Sequence, residues 1–204
     1  MPPVASSGPS HDAASSLLAT PKDALPCVIL IGMAGSGKST IGARLAQEMG
    51  WALLDSDSLL EALYGCRLQD LTDALARDAF LDVECTVICA IRAQRAVIAT
   101  GGSVIYREAA MKHLASLGHI VHLDVPLPEI ERRIARNPQR GLSLGPGQGV
   151  ADLHRERAPL YAAWAHLRCD AGRGTPARCA RWIMRNLPAE FRAEARPAPE
   201  VPGA

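Results

Sequence analysis

The sequence predicts an α/β domain in which a five-stranded parallel β-sheet lies between layers of helices. Short apolar runs typical of buried strands alternate along the chain with amphipathic stretches typical of helices. A glycine-rich segment, residues 32–39, joins the first apolar run to the first amphipathic stretch. The length of 204 residues allows one substantial domain of this kind and excludes two large ones.

The order of these runs and stretches gives the predicted elements. The strands are predicted at 27–31, 51–54, 95–100, 119–125 and 167–170. The helices are predicted at 38–49, 58–64, 68–75, 77–92, 106–117, 128–136, 150–163 and 176–186, with a glycine-rich loop at 141–149. Because strands and helices alternate, the strands are expected to be parallel and ligands to bind beyond their carboxyl ends.

The two ends of the chain differ in composition from its middle. Residues 1–26 and 188–204 are rich in Pro, Ser and Ala and have little to bury, which predicts a disordered leader and a disordered tail around a domain at 27–187. No apolar run approaches the roughly 18 residues of a membrane span, and the start of the chain lacks the pattern of a secretory signal. A cytoplasmic location and no membrane partner are therefore expected.

Charge and cysteine content exclude further classes. The net charge is +1, whereas proteins that wrap nucleic acid usually carry a clear basic excess, so no nucleic-acid partner is expected. The six cysteines contain no CxxC pair and no His or Cys cluster at zinc-finger spacing. Free thiols in a reducing compartment are the expectation.

Residues 32–39 read GMAGSGKS and match the phosphate-binding pattern GxxxxGK[ST], with a predicted strand before and a predicted helix after. Glycines allow backbone N–H groups to converge on phosphate oxygens, and the helix N-terminus adds partial positive charge. Lys38 is predicted to reach the β- and γ-phosphates of a nucleotide, and Ser39 to ligate Mg²⁺. The predicted nucleotide-binding residues are Gly35, Ser36, Gly37, Lys38, Ser39 and Thr40.

A phosphate-binding loop of this pattern, here residues 32–39, is called a P-loop and occurs in several classes of protein. A GTPase would need an NKxD motif, and the only asparagines, Asn137 and Asn186, are not in one. A motor or transporter ATPase would want an apolar strand ending in Asp-Glu, but Asp124 is followed by Val125. A small-molecule kinase is the favoured interpretation.

Two carboxylates, Asp55 and Asp57, follow the second predicted strand. Alternation along an extended backbone would point both to the same side. One would hold the Mg²⁺ shell, and the other would orient or deprotonate an acceptor hydroxyl. The alternative is an N-cap for the next helix, which Ser56 or Asp57 would supply.

With these motifs the sequence resembles the shikimate kinase family over residues 27–187. The segments GMAGSGKST, LDSDSLLE, ATGGSV and ERAPLY have the order and spacing of that family. The resemblance implies a three-layer P-loop kinase fold with a mobile lid, the use of ATP with Mg²⁺, and phosphorylation of a ring hydroxyl on a small carboxylic acid.

The resemblance also implies roles for residues of the acceptor side. Asp57 matches the aspartate that contacts the substrate hydroxyl, and Asp55 the aspartate of the metal shell. Gly101 and Gly102 match glycines whose backbone approaches the substrate, in keeping with a turn that lets a ligand come close. A tight strand-to-helix turn without a ligand is the alternative for this pair.

Three arginines receive roles from the same resemblance. Arg157 matches an arginine that pairs with the substrate carboxylate, a task suited to a planar guanidinium fork. Arg140 matches the catalytic arginine of the lid, and Arg133 one that lies near the adenine. For Arg157 and Arg133 the alternative is a solvated charge on a helix surface.

The sequence departs from the family at the acceptor and the lid. Leu81, in the segment 80–84 (FLDVE), stands where the family has an arginine that binds the substrate carboxylate. Arg77 precedes it by four positions and thus lies on the same helix face, from where it could restore the contact. Ser103 replaces the third glycine of the family's run, and the lid reads RGLS at 140–143, followed by GPGQG at 145–149.

The expected function is transfer of the ATP γ-phosphate to a hydroxyl of shikimate or of a similar small hydroxylated acid, by a monomer whose residues 138–149 close when both ligands bind. Two alternatives stay open: a kinase for another small alcohol, gluconate-like or homoserine-like, and a non-catalytic nucleotide sensor. A nucleoside or nucleotide kinase would need a second phosphate- or base-binding site, for which the sequence has no clear motif.

Overall fold

Five parallel strands form a single sheet in the computed structural model, which describes residues 25–136 and 147–192. The strands are β1 (Cys27–Ile31), β2 (Ala52–Asp55), β3 (Ala96–Ala99), β4 (Gly118–Asp124) and β5 (Leu167–Asp170). Their order across the sheet is β2-β3-β1-β4-β5, so β1 lies at the centre. The predicted parallel α/β architecture is confirmed.

Eight α-helices flank the sheet within the described residues. They are α1 (Lys38–Met49), α2 (Ser56–Tyr64), α3 (Leu68–Ala74), α4 (Arg77–Ala90), α5 (Glu108–Leu117), α6 (Leu127–Ala135), α7 (Val150–Trp164) and α8 (Pro176–Asn186). Short 3-10 helices cover Val104–Tyr106 and Ala189–Arg192. Each predicted element is present, with ends displaced by one or two residues.

The core is built around β1, whose five residues are all buried. Parallel strands covered on both faces have nearly continuous apolar sequences, which is the pattern of CVILI. Helices α1 and α8 pack against each other, and α4 packs against α5. A second, smaller apolar cluster joins α2, α3 and α4 through Leu60, Leu71, Phe80, Leu81 and Val87.

The packed domain continues beyond the boundary predicted at residue 187. A 3-10 helix follows, and Phe191 in it is 6% exposed. Its ring stacks on Trp51 with the ring centres 6.3 Å apart and meets His119 edge-on at 5.7 Å. The start of the predicted tail is thus ordered, because one aromatic side chain in a polar, Pro-rich segment finds an aromatic site on the domain.

All six cysteines are free thiols, of which Cys27, Cys169 and Cys179 are buried. Among the described residues, no helix is both long and apolar enough to cross a bilayer.

A buried histidine in β4 carries an unpaired polar atom. His122 stacks on Tyr161 with the ring centres 5.0 Å apart, and its Nδ1 has no hydrogen-bond partner among the described residues. Burial lowers the pKa of His122 to about 4, although Asp124 opposes the shift. The folded protein therefore holds this imidazole neutral at pH 5 to 7, whereas the unfolded chain takes up a proton below about pH 6.5.

We expect this histidine to make the fold acid-sensitive. Since its folded pKa is depressed, its contribution is complete above about pH 6.5 and is lost as the pH falls towards 4, at a cost of up to about 3 kcal/mol. His122→Phe keeps an aromatic ring against Tyr161 and removes the titration. Urea unfolding at pH 7 and pH 4.5 should show a smaller fall in the free energy of unfolding for the variant. An equal fall in both proteins would contradict the expectation.

Candidate active site

The P-loop lies between β1 and α1 at the carboxyl edge of the sheet. Gly35 and Gly37 have φ angles of 80° and 97°, a left-handed backbone that side-chain-bearing residues rarely adopt. Helix α1 then begins at Lys38, and among the described residues its N-cap position, Gly37, has no side-chain capping bond. An open helix start after two left-handed glycines is a backbone cradle that fits an anion such as phosphate.

Lys38 is the cation of this cradle. Its ammonium group is buried and donates hydrogen bonds to the carbonyls of Gly32 at 2.7 Å and Met33 at 2.9 Å. Ser39 and Thr40 follow it in the first turn of α1 and are exposed. Both residues thus lie at the loop, and the roles of Lys38 towards phosphate and of Ser39 towards Mg²⁺ stay predictions.

A cleft of about 480 Å³ opens in front of the P-loop. One wall consists of the P-loop with Lys38 and Ser39, and a second wall of Asp55 and Asp57. The rest of the lining is Ala34, Gly35, Gly37, Ser58, Glu61, Arg67, Leu68, Gln69, Thr100 and Gly102. The segments after β1, β2 and β3 therefore meet in one cavity, as expected for parallel strands.

Asp55 and Asp57 share the cleft for a reason other than the predicted one. The sequence argument placed both on an extended backbone, but α2 begins at Ser56 and Asp57 lies in its first turn. Asp55 is the N-cap: its Oδ1 accepts hydrogen bonds from the N–H groups of Asp57 at 3.1 Å and Ser58 at 3.2 Å. The capping role considered for Ser56 or Asp57 thus belongs to Asp55, and it occupies one of the two carboxylate oxygens.

The turn Gly101-Gly102 is fixed from both sides. Ser56 Oγ accepts a hydrogen bond from the Gly101 N–H at 2.9 Å, and Tyr161 Oη donates one to the Gly102 carbonyl at 2.6 Å. A Cβ on Gly101 would lie 2.1 Å from Glu84 Oε1, and one on Gly102 would lie 3.2 Å from the backbone nitrogen of Ala34. Both positions therefore lie against other groups of the site, and the role of this turn in binding a ligand stays a prediction.

Glu84 is a buried carboxylate behind this turn, and sequence reasoning gave it no role. Burial raises its pKa to about 7; the Ser103 hydroxyl, which donates to Oε2 at 2.8 Å, opposes the shift, and the charge of Asp57 adds to it. Ser103 replaces a glycine of the family pattern, so the departure supplies Glu84 with a hydrogen bond. The available signal was position: Glu84 follows Phe80 by one helical turn, on the buried face of α4.

Arg157 is buried on α7, with 2% of its surface exposed. Its Nε donates to the hydroxyl of Tyr106 at 3.1 Å, and its Nη1 lies near Gly102, where a Cβ would be 3.1 Å away. The alternative of a solvated surface arginine is wrong. Tyr106 and Tyr161, which hold this guanidinium and the adjoining turn, were not predicted, because neither stands in a pattern that indicates a ligand.

Arg133 lies at the other end of the P-loop. Its guanidinium donates to the carbonyls of Gly35 at 3.2 Å, Ser36 at 3.3 Å and Ala171 at 3.1 Å. Together with Thr40 and Pro176 it lines a cavity of about 260 Å³ beside the phosphate cradle. The alternative of a solvated helix charge is therefore wrong, and Arg133 joins the P-loop to the segment after β5.

The predicted lid and the predicted Mg²⁺ site are the two remaining features of the sequence analysis. Arg140 and the RGLS segment of the lid lie outside the described residues. Within 25–136 and 147–192, no cluster of three or more His, Cys, Asp or Glu side chains is arranged to hold a metal. Mg²⁺ rarely needs such a cage, since it is commonly bound by one or two protein oxygens together with substrate phosphates.

The comparisons with known proteins agree with this geometry. A family model described as shikimate kinase matches residues 34–188. A shikimate kinase of Thermobifida fusca is 35% identical over 167 residues, which are 80% of this chain and 96% of that protein. One from Nitratidesulfovibrio vulgaris is 38% identical over 141 residues, 66% of this chain and 81% of its own length.

Solved structures give the same result. Shikimate kinase from Acinetobacter baumannii in complex with shikimate superposes with a TM-score of 0.72 at 30% identity, covering 79% of this chain and 92% of that one. Shikimate kinase from Aquifex aeolicus has a TM-score of 0.63 at 22% identity, over 78% and 94% of the two chains, and supports the fold alone.

We expect Gly101→Ala to disturb the site. The added methyl group would lie 2.1 Å from Glu84 Oε1 and 3.0 Å from Asp57 Oδ1, so a buried carboxylate has to move. Overpacking of this kind costs about 1–3 kcal/mol. Gly149→Ala is the matched control, because its methyl group would meet only Asp152 Oδ2 at an ordinary 3.7 Å. Urea unfolding should show the larger loss for Gly101→Ala, and equal losses would contradict the expectation.

Proposed function

Since this chain belongs to the shikimate kinase family, we propose that it transfers the γ-phosphate of ATP to a ring hydroxyl of shikimate or of a similar small hydroxylated acid. The observation that carries the proposal is the arrangement around Gly101-Gly102. Asp57 lies against the first glycine and Arg157 against the second. A small acid seated on this turn would meet a carboxylate with its hydroxyl and a guanidinium with its own carboxylate.

On the nucleotide side of the cleft, the protein mainly has to position the phosphates of ATP and neutralise their charge. Phosphoryl transfer depends on holding the two oxygens in line and neutralising the charge on the transferred group. The P-loop N–H groups and Lys38 would bind the phosphates. Arg133 would lie near the adenine, because it lines the cavity next to the cradle.

The residues around the cleft suit Mg²⁺. Ser39 is exposed at its rim, and Asp55 uses only Oδ1 in its capping bonds to described residues. We propose these two side chains as the protein's share of the metal shell, with phosphate oxygens and waters as the rest. When bound, the ion would supply neutralisation of phosphate charge.

Asp57 would act on the acceptor. It lines the cleft with Lys38 and Ser39, and its Oδ1 lies close to Gly101, so a hydroxyl placed there can donate a hydrogen bond to it. Such a bond orients the hydroxyl oxygen towards the phosphate and gives its proton an acceptor. The buried carboxyl of Glu84 lies near the same glycine and interacts electrostatically with Asp57.

The proposal has three further parts, which concern the lid, the oligomeric state and the location. Arg140 and closure of residues 138–149 would exclude water from the transferred group, as lids of this type do. The acting unit of the proposal is a monomer. A cytoplasmic location is in keeping with six free cysteines.

A different acceptor is the second candidate, and Leu81 favours it. A side chain that is 3% exposed in an apolar cluster offers no charge where relatives of the family pattern have an arginine. A gluconate-like or homoserine-like alcohol would then be the substrate. A non-catalytic sensor is less well supported, since Lys38, Ser39, Asp55 and Asp57 are all retained and lie in one cavity.

We expect shikimate to give the highest turnover in a panel of acceptors. The panel offers Mg-ATP with shikimate, quinate, gluconate, homoserine and nucleoside monophosphates, and ADP release is measured. Turnover of gluconate or homoserine in place of shikimate would support the second candidate. Hydrolysis that no acceptor stimulates would contradict both.

Asp57→Asn should slow phosphoryl transfer strongly with little effect on folding. The amide cannot take the hydroxyl proton, so kcat should fall on the order of 10²–10⁴-fold. The KM for ATP should change little, since Asp57 is assigned to the acceptor. Asp73→Asn, at an exposed carboxylate of α3, is the control and should retain wild-type kinetics. Wild-type kcat in Asp57→Asn would remove this residue from the mechanism.

A further inference from the structure

Position 81 supplies no charge to the acceptor side of the cleft. Leu81 is buried with Leu60, Leu71, Phe80 and Val87, and the ring of Tyr106 packs against the same cluster. The Leu81 side chain is therefore part of the apolar packing and not of a charged site. Whatever binds the acceptor carboxylate together with Arg157 has to come from elsewhere.

Tyr106 brings a second arginine to this place. The guanidinium carbon of Arg77 lies 4.8 Å from the centre of the Tyr106 ring, and that of Arg157 lies 5.1 Å from the same centre. Stacking on an aromatic ring fixes the plane of a guanidinium and leaves its charge in place. Two arginines are thus gathered around one ring, and one of them, Arg157, also lies near Gly102.

The charge of Arg77 is only loosely compensated. Within the described part of the chain its ion-pair partner is Glu156, at 3.4 Å, and both side chains are about one-third exposed. Exposed pairs of this length contribute little and exchange readily. The Nε of Arg77 is buried and has no hydrogen-bond acceptor among the described residues. A buried donor without an acceptor is costly, and a ligand carboxylate that reaches this N–H would remove that cost.

Glu156 has other contacts that would remain if it left Arg77. Its Oε2 accepts a hydrogen bond from Gln148 at 3.1 Å, and the hydroxyl of Tyr106 helps to lower its pKa. An arriving carboxylate can therefore replace Glu156 at Arg77 without leaving Glu156 unpaired. After the exchange Arg77 is paired with the ligand carboxylate, and Glu156 keeps its contacts with Gln148 and Tyr106.

We propose that Arg77 binds the acceptor carboxylate together with Arg157 and so determines that this chain selects carboxylate-bearing acceptors. The proposal rests on the proposed function and deepens it. In this chain the second arginine has moved by four positions along one face of α4, from the place of Leu81 to residue 77. Tyr106 holds it there.

The test compares Arg77→Ala with wild type in steady-state kinetics at saturating Mg-ATP. For shikimate, the KM should rise roughly ten- to a hundredfold, as expected when one partner of a hydrogen-bonded charge pair is truncated at a partly exposed site. The KM for ATP and the kcat should stay within a few fold. Arg77→Lys keeps the positive charge but lacks the planar guanidinium. Its KM for shikimate should lie between those of wild type and Arg77→Ala.

Two controls separate binding of the carboxylate from a structural effect. Arg92→Ala removes an exposed arginine that follows α4 at the opposite edge of the sheet, and it should leave the kinetics unchanged. The methyl ester of shikimate lacks the charge, so Arg77→Ala should add little to its already high KM. An unchanged KM for shikimate in Arg77→Ala, or equal losses for acid and ester, would overturn the proposal.

Failure of the proposed function gives a different result. If wild type phosphorylates another acid of the panel but not shikimate, the same comparison is made with that acid and its ester, and the same outcomes decide. If only uncharged acceptors are phosphorylated, Arg77 has no carboxylate to bind and the inference falls. If wild type phosphorylates shikimate and Arg77→Ala leaves the KM for shikimate unchanged, the inference about Arg77 is overturned and the proposed function stands.

Discussion

Strand β1 is the element on which the placement of the site depends. It pairs with β3 on one side and β4 on the other, and its residues are buried throughout. The register brings the ends of β1 and β3 to the same level, where Thr100 donates both its N–H and its hydroxyl to the carbonyl of Leu30. The phosphate cradle and the Gly101-Gly102 turn are therefore positioned by the same backbone hydrogen bonds that hold the sheet together.

Three buried charged groups meet beside this edge, and their mutual effects explain much of the local chemistry. Lys38, Glu84 and Arg157 are each at least nine-tenths buried. Both cations act to lower the pKa of Glu84, yet burial outweighs them and the pKa stays near 7. Buried ions are costly unless they are paired and hydrogen-bonded, so a cluster of this kind is better explained by ligand binding than by stability.

Much of the architecture could be predicted because it depends on local patterns. Apolar runs, helical spacing and the GxxxxGK[ST] motif located the strands, the helices and the P-loop, and family resemblance directed attention to Asp57 and Arg157. The reason for the position of Asp57 was missed, because a helix starting at Ser56 differs from an extended strand by a capping bond that no periodicity reveals. The contact of Ser103 with Glu84 and the packing of Tyr106 join distant segments, so a single sequence contains little information about them.

The aromatic contact of Phe191 determines on which side of the sheet the described part of the chain ends. Trp51 and His119, which it touches, stand at the beginnings of β2 and β4, whereas the cleft lies beyond the strand ends. The last described residues are therefore anchored at the amino edge of the sheet, opposite the carboxyl edge where the cleft lies. An affinity tag or a fluorophore joined to residue 192 would therefore begin on the side of the domain away from the cleft.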